Sequence, residues 1–521
     1  EALDLALSER PLTPLVFDHD FIEGEPSEER VQLTAQVHTT ETQFFRKLEH
    51  IRLQHKSQSE SDYQFANWAA GKYGLEFEST TEVPKAEFII AMLLQRQHQK
   101  NYEVLKVENK NFDNSGKRLS DPITKWKPPP ECLLVRDPGI ISGYAGINPF
   151  GTAADYSVGH SVAIAERQPK LLEFHKKRSP NSELLTDVKY LLEERFRYAA
   201  EFLYLSPVCT IYSPANLYAK EIDDPLFGSQ VAQCAEIIKH VGAPISGLEC
   251  VIGILKGKNG RAAAIKKFRR GLPDHHIRIH EIDAGKTESP ITGEVSALKH
   301  IRAHVMTYRK DCFPDEAELD WEINKAHPKS SFADVLDLRW EGHSYRRMST
   351  EDQRALVLRS HQTKEGAAYI GSLKDPSEKG RGHHLYVNEV VDPLRGRAPP
   401  WTATGASVWV ARELNDKADI TLMSNREGAR LYCLREDELP DEALEDDSYL
   451  GQSNIGNSIP GNVRDFVHIH NVLLLGKKQA DGFTPQEKWL SKQKGFRSNK
   501  KGRVSSGGNE EVLTRQSSGG K

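Results

Sequence analysis

The chain has 521 residues, a hydrophobic fraction of 38% and a formal net charge of -4 at pH 7. This length is enough for roughly two to four domains, and the balanced charge argues against a general nucleic-acid binder, so no nucleic-acid partner is expected. The six cysteines form no CxxC pair, which excludes a zinc ribbon and favours reduced thiols in a cytoplasmic protein. No apolar run approaches the ~18 residues of a membrane helix.

The first 127 residues predict a helical and mixed region. Helical patterns run from Val31 to Gln54 and from Ala86 to Lys100. The strand that follows contains Glu108-Asn-Lys110, an E-x-K element found in some nuclease cores. A solvated strand end is the simpler interpretation, because no partner aspartate stands at a suitable spacing. The prolines at 128–130 then mark a boundary.

The segment from His160 onward predicts a β-hairpin. β-Branched alternation indicates a strand beginning at His160, Arg167-Gln-Pro predicts a turn, and the residues from Lys170 to Phe174 predict the returning strand. In this register His160 faces Glu173, with side chains ~5 Å apart on one face of the sheet. A carboxylate in that place would orient an imidazole.

Helices and strands alternate after the hairpin. Ser179-Pro180 predicts the start of a helix that reaches Phe196, and a second helix opens at Cys234 and stops at Gly242. A short strand, 208–212, lies between these two helices.

The second half of the chain predicts a mixed set of elements. A strand is expected from Leu248 to Leu255, and His276, Arg278 and His280 alternate on the next one. Helices are expected over 295–308 and 316–324. The chain contains pairs of neighbouring histidines, but none has a set of cysteine, aspartate or glutamate residues at the spacing of metal ligands, so no metal is expected.

One set of side chains offers the groups that acyl transfer requires. A thiolate nucleophile is favoured at a helix N-terminus and beside a histidine, which suits Cys234 with His160 as base. Glu173 would hold the histidine tautomer, and Gln230 could donate a hydrogen bond to an oxyanion. The alternative is that Cys234 is a small buried apolar residue and Glu173 a solvated one.

The order His160, Glu173, Gln230, Cys234 resembles the clan CE cysteine proteases and the YopJ-like effector acetyltransferases. The resemblance implies a papain-like core and cysteine protease (hydrolase) or Ser/Thr/Lys acetyltransferase activity on a protein substrate. It also implies acetyl-CoA as acyl donor and inositol hexakisphosphate as activator. A basic run would suit a polyphosphate, although a solvated basic helix is the commoner explanation. The run comprises Lys256, Lys258, Arg261, Lys266, Lys267, Arg269 and Arg270.

A fainter resemblance covers residues 401–476. The stretch from Gly405 to Leu414 resembles the glycine-rich strand pair of an SR-protein-kinase-like fold, and His470-Asn471 resembles the end of a catalytic loop. Met423 replaces the expected phosphate-pairing lysine, and no H-R-D or D-F-G element follows. The resemblance therefore implies at most a degenerate fragment.

The sequence predicts a multi-domain α+β protein with a papain-like core of clan CE type, helical flanks and a disordered C-terminal tail. The preferred function is thiol-dependent acyl transfer through Cys234, and the alternative is a non-enzymatic interaction or structural protein. The expected regions are an N-terminal helical and mixed region (1–127), the catalytic core (132–285), a helical and mixed region (286–398), a small α+β region (401–476) and the tail (477–521).

Overall fold

The computed structural model describes residues 43–75, 123–207, 228–316 and 408–480 with short internal gaps. Between 86 and 398 it also describes a few shorter segments outside those ranges. Within this described part of the chain, no helix is both long and apolar enough to cross a bilayer.

A seven-stranded mixed sheet forms the centre of the protein, and its strand order is β3-β2-β1-β4-β5-β7-β6. Six strands run parallel, and β7 runs antiparallel between β5 and β6. The strands are β1 (Gly139–Gly143), β2 (His160–Ala165), β3 (Glu183–Leu185), β4 (Phe202–Leu205), β5 (Ile245–Val251), β6 (His275–Asp283) and β7 (Ile301–Arg309).

Helices connect the parallel strands and cover both faces of the sheet. Such coverage is usual for parallel strands. Their sequences are continuous apolar runs because both faces of the sheet are buried. All residues of β1, β4 and β5 are buried. The helices are α1 (43–54), α2 (Gln58–Tyr73), α3 (Pro149–Asp155), α4 (Pro169–Arg178), α5 (Gly228–Val241), α6 (Gly260–Gly271), α7 (Asn425–Leu431), α8 (Tyr449–Asn457) and α9 (Gly461–Ala480).

Two hydrophobic cores lie on opposite faces of the sheet. On one face, α5 and α6 contribute Ile237, Ile238 and Phe268 to a cluster with strand residues such as Leu203 and Leu248. On the other face, α3 and α9 contribute residues such as Phe150 and Val467 to a cluster with Phe202 and Tyr204. The ring of Phe150 stacks on that of Tyr204 with centroids 3.7 Å apart.

A second sheet has five strands in the order β12-β11-β10-β9-β8. Its strands are β8 (Leu356–Leu358), β9 (Tyr369–Leu373), β10 (Glu389–Val391), β11 (Val408–Leu414) and β12 (Lys417–Leu422). The strands β11 and β12 form an antiparallel pair and lead into α7, which begins with a capping box between Ser424 and Glu427.

Several predicted elements differ from the structure. The predicted returning strand at Lys170 is wrong, because Pro169 opens α4 there and β2 pairs in parallel with β1 and β3. The predicted helix to Phe196 is instead β3 followed by two short 3-10 helices. The predicted helix over 295–308 is wrong, because β7 (Ile301–Arg309) occupies its second half and adds a strand to the sheet beyond residue 285.

Other predicted elements are confirmed or lie outside the described residues. Strands at His160 and around His276–His280, and the helix end before Gly242, are confirmed. The strand 208–212, the Glu108–Lys110 element and residues 481–521 lie outside the described residues. The predicted disordered tail begins too early, because Lys477–Ala480 complete α9. The α+β class is confirmed, and the papain-like core is not.

Candidate nucleoside-binding site

The strand order reverses direction at β1, which makes the carboxyl edge beside it the expected ligand site. The chain goes outward from β1 to β2 and β3, and then returns to β4 on the other side of β1. At this edge Gly143 of β1 lies level with Ala165 of β2 and Leu205 of β4. Open α/β sheets bind ligands in the crevice outside the carboxyl ends of strands at such a reversal.

A tight turn follows β1 at this edge. Tyr144, Gly146 and Asn148 all have positive φ near 54°, a conformation that is uncommon for residues other than glycine. The turn is tied to the neighbouring strand because the Ala145 N–H donates to the Ala165 carbonyl at 3.1 Å. A Cβ atom built on Gly146 would meet nothing within 4 Å, so the outer side of the turn is open to a ligand.

Glu166 immediately follows β2 and is joined to this turn. Its Oε2 accepts the Gly146 N–H at 2.7 Å, and its Oε1 accepts the Gln168 N–H at 2.8 Å. An ionised carboxylate has about four acceptor positions, so each oxygen keeps capacity for a further donor. Glu166 lies 20 positions after Gly146, the spacing at which nucleotide-binding α/β folds place the acidic residue that binds the ribose hydroxyls.

The helix after β1 offers few free backbone N–H groups to bind a phosphate. Helix α3 has seven residues and begins with Pro149, which has no N–H. The Gly151 N–H is already taken by the Asn148 side chain, which caps the helix. Dinucleotide sites instead place the pyrophosphate on free N–H groups at this helix end. The residues present therefore fit a nucleoside without a pyrophosphate better than a dinucleotide.

A buried carboxylate lies along the same edge. Glu249 of β5 is 8% exposed and lies one residue beyond Leu248, the partner of Leu205 at the end of β4. Arg302 of β7 holds it, with Nε 3.1 Å from Oε1. A carboxylate fixed by a guanidinium at the edge of a ligand crevice can exchange a proton with a bound substrate.

The structure does not form the predicted contact between His160 and Glu173. His160 begins β2, is exposed and pairs with Gly139 at the amino edge of the sheet. Glu173 lies on α4 rather than on a strand opposite His160. The predicted hairpin is therefore wrong, and the physical reason is that a parallel strand must be followed by a crossover instead of a tight turn.

Cys234 and Gln230 lie on α5, at different depths. The helix begins at Gly228, so Cys234 is in its second turn instead of at its N-terminus. Its side chain is fully buried, and burial raises the pKa of the thiol above its usual value. The neighbouring Gln233 accepts a hydrogen bond from the Tyr144 hydroxyl at 2.9 Å, which places this part of α5 near the carboxyl edge. Gln230 is half-buried in the first turn, and its Oε1 makes no hydrogen bond among the described residues.

The basic residues that were predicted to bind a polyphosphate belong largely to α6. Lys256 and Lys258 lie outside the described residues, as does the side chain of Arg261. The later members of the run, Lys266, Lys267, Arg269 and Arg270, are exposed or half-exposed on the helix. Arg269 also lines a cavity of about 360 Å³ with His275 and Lys310, but Glu316 lies in the same wall. No group of three metal-ligating side chains occurs in the described part of the chain.

The sequence patterns described above did not identify four residues of the carboxyl edge: Gly146, Glu166, Glu249 and Arg302. The signal for the first two was present, because a glycine-containing turn after a buried strand precedes, by about 20 residues, an acid that ends the next strand. Assigning Arg167-Gln-Pro to a hairpin turn hid this signal, because it made Glu166 the approach to a turn rather than the end of a parallel strand. The pair of Glu249 with Arg302 joins β5 to β7, and only the tertiary structure shows that contact.

Comparison with known proteins gives structural likeness alone. No family model matches the chain, and no curated protein matches it. Similar solved structures include the Dnmt2 methyltransferase of S. pombe, with 14% identity, a TM-score of 0.39 and coverage of 65% of this chain and 98% of that chain. A Spodoptera frugiperda DNMT2 mutant has 13% identity and a TM-score of 0.43, covering 64% of this chain and 99% of that one. A protein described as a DNA modification methyltransferase encoded within an E. coli prophage has 14% identity and a TM-score of 0.41, with 64% and 99% coverage.

The structure corrects the resemblances drawn from the sequence. The resemblance to clan CE proteases and YopJ-like acetyltransferases is wrong, because His160 and Glu173 do not face each other and Cys234 is fully buried in the second turn of α5. The protease and acetyltransferase activities and the cofactors acetyl-CoA and inositol hexakisphosphate were implied by that resemblance alone, so they are wrong with it. The kinase-like fragment is also wrong, because His470 and Asn471 lie inside the 20-residue helix α9 instead of in a catalytic loop.

Proposed function

We propose that the carboxyl edge of the seven-stranded sheet binds S-adenosylmethionine and that the protein transfers its methyl group to a nucleic-acid base. The observation that carries the proposal is Glu166, fixed at the end of β2 by the Gly146 N–H beside the reversal of strand order. A carboxylate in this place suits the two hydroxyls of a ribose. The capped, proline-containing start of α3 favours a nucleoside cofactor without a pyrophosphate, which S-adenosylmethionine is.

The residues at the edge have separable roles in this proposal. Glu166 accepts hydrogen bonds from the ribose and orients the nucleoside along the turn after β1. The half-buried ring of Tyr144, held by Gln233, offers an aromatic surface beside that turn. When bound, S-adenosylmethionine supplies an electrophilic methyl group and leaves as S-adenosylhomocysteine.

Glu249 is the group that we assign to the methyl acceptor. In the transfer, the acceptor atom would bond to the methyl carbon as the donor's carbon–sulfur bond breaks, and the proton that the acceptor loses would pass to the Glu249 carboxylate. The Glu249 carboxyl, held by Arg302, can exchange a proton with a ring nitrogen of a heterocyclic acceptor. A nucleobase is such an acceptor, and the DNA modification methyltransferase among the similar structures suggests the same class.

The experiment is calorimetric titration of the full chain with S-adenosylmethionine and, separately, with a dinucleotide such as NAD. We expect binding of the first ligand only. Glu166→Gln should weaken it roughly ten- to a hundredfold, because a hydrogen bond to a charged group is worth about 1.5–3 kcal/mol. Glu173→Gln is the matched control, since Glu173 lies on α4 and takes part in none of the turn's hydrogen bonds, and the affinity of this variant should not change.

Transfer itself is tested with a tritium-labelled methyl donor. Label should appear in DNA or RNA oligonucleotides, and Glu249→Gln should reduce the rate while leaving the donor affinity unchanged. Absence of S-adenosylmethionine binding, or equal binding by wild type and Glu166→Gln, would contradict the proposal. Label in a protein mixture but not in nucleic acid would contradict the acceptor class alone.

A further inference from the structure

The backbone of Gly146 is held by side chains from two different elements. Its N–H donates to Glu166 at 2.7 Å, and its carbonyl oxygen lies 2.7 Å from Nε2 of His175 on α4. A carbonyl oxygen only accepts hydrogen bonds, so Nε2 must carry the imidazole proton. The turn after β1 is thus fixed from β2 on one side and from α4 on the other.

His175 is suited to a fixed, neutral role. Its side chain is 0% exposed, and its Nδ1 makes no hydrogen bond among the described residues. Burial lowers the pKa of His175 to about 4, against the opposing effect of its bond to Gly146. The imidazole is therefore uncharged near neutral pH and donates a single hydrogen bond, which goes to the turn.

The turn depends on this donor because its backbone is otherwise lightly restrained. Gly146 has a φ of 54° and no side chain, so it can adopt many other conformations. The bond from Ala145 to Ala165 fixes the beginning of the turn, and the Asn148 N–H to the Ala145 carbonyl fixes its end. Between them, a change in the φ and ψ angles of Gly146 would displace the N–H that holds Glu166.

We propose that His175 is a positioning residue for the nucleoside cofactor, acting through the backbone of Gly146 on the orientation of Glu166. This inference rests on the proposed function, because the ligand that Glu166 would meet is the ribose of S-adenosylmethionine. His175 itself need not touch the ligand. It determines whether the acceptor oxygens of Glu166 point toward the ribose.

The chain contains a closely matched control. His468 on α9 is also 0% exposed, and its Nε2 lies 3.0 Å from the Val158 carbonyl. Its Nδ1 likewise makes no hydrogen bond among the described residues. Val158 precedes β2 at the amino edge of the sheet, so this histidine has the same chemistry without contact to the turn. A purely structural loss should therefore be similar in the two histidine variants.

The experiment compares four full-length proteins: wild type, His175→Phe, His175→Gln and His468→Phe. Each is titrated with S-adenosylmethionine, and amide hydrogen exchange is followed in the peptide that covers residues 143–152. We expect His175→Phe to lose at least tenfold in affinity and to exchange the Gly146 amide faster. His175→Gln, whose side-chain amide can replace the Nε2 donor, should recover most of the affinity, and His468→Phe should change neither readout.

Two results would overturn the inference while leaving the proposed function intact. In one, His175→Phe binds the cofactor as the wild type does; in the other, His468→Phe loses as much affinity as His175→Phe, which would indicate general destabilisation. Failure of the wild-type protein to bind S-adenosylmethionine would overturn the proposed function, and the inference would fall with it.

Discussion

Acid should destabilise this protein through histidines that are buried in their neutral form, and His468 allows the effect to be measured at one position. Burial lowers the pKa of His468 from 6.5 to about 4, although its hydrogen bond to Val158 opposes the shift. The unfolded chain therefore binds a proton between these two values that the folded chain does not. The corresponding stability is fully present above pH 6.5 and is lost as the pH falls toward 4.

The magnitude follows from these two pKa values. Lowering the pH from 7 to 5 should cost about 2 kcal/mol for His468 alone, from the linkage of proton binding to unfolding. His175, His275 and His304 have pKa values lowered in the same direction, chiefly by burial, so the whole protein should lose more. A variant at one position isolates one contribution from this sum.

The assay is urea unfolding of wild type and His468→Gln at a series of pH values from 7 to 5. Glutamine keeps an N–H donor but does not titrate in this range. The difference in free energy of unfolding between the two proteins should move by about 2 kcal/mol in favour of the variant at pH 5. Parallel pH profiles would contradict this prediction, because they would show that His468 binds its proton equally well in the folded and unfolded states.

Three further predictions concern side chains in the interior. Glu438→Ala should lower the free energy of unfolding by about 3–5 kcal/mol, because it removes the carboxylate whose Oε1 accepts a hydrogen bond from Nη2 of the buried Arg464 at 2.7 Å. Urea unfolding measures this loss, and a loss below about 1 kcal/mol would contradict the prediction. Gly143→Ala should cost about 1–3 kcal/mol in the same assay, since its Cβ would lie 2.5 Å from Cδ2 of Leu205, and an unchanged midpoint would show that the core adapts. Cys234 should resist iodoacetamide at pH 8 in the folded protein and react after urea unfolding, because it is fully buried and burial raises the pKa of its thiol. Labelling of Cys234 in the native protein, detected by peptide mass, would contradict this prediction.

The sequence predicted strands with alternating apolar and polar residues better than short, continuous apolar runs. The strand His160–Ala165 and the strand around His276–His280 were recognised because their apolar and polar residues alternate. The apolar stripe from Leu184 to Phe196 was assigned to a helix, although the structure forms β3 and two 3-10 helices there. Short apolar runs suit a helix and a buried strand equally, and tertiary contacts decide between them.

The candidate site was missed for a related reason. The assignment of a hairpin after His160 placed Glu166 in a turn and Glu173 on a strand, so a catalytic pairing was inferred from a register that does not exist. A parallel interpretation of the same residues would have placed Glu166 at the end of β2 and linked it to Gly146. The contacts of His175 with Gly146 and of Arg302 with Glu249 join residues whose pairing depends on the sheet order, which the sequence does not state.

The most direct test of a cofactor site at the carboxyl edge is a crystal structure of the full chain with S-adenosylhomocysteine, the product that methyl transfer would leave. We expect density for the nucleoside at the carboxyl edge between β1 and β2, with the ribose hydroxyls within hydrogen-bond distance of Glu166 and the Gly146 turn unchanged. Density at another place, such as the cavity beside His275, with Glu166 free of ligand, would contradict this expectation.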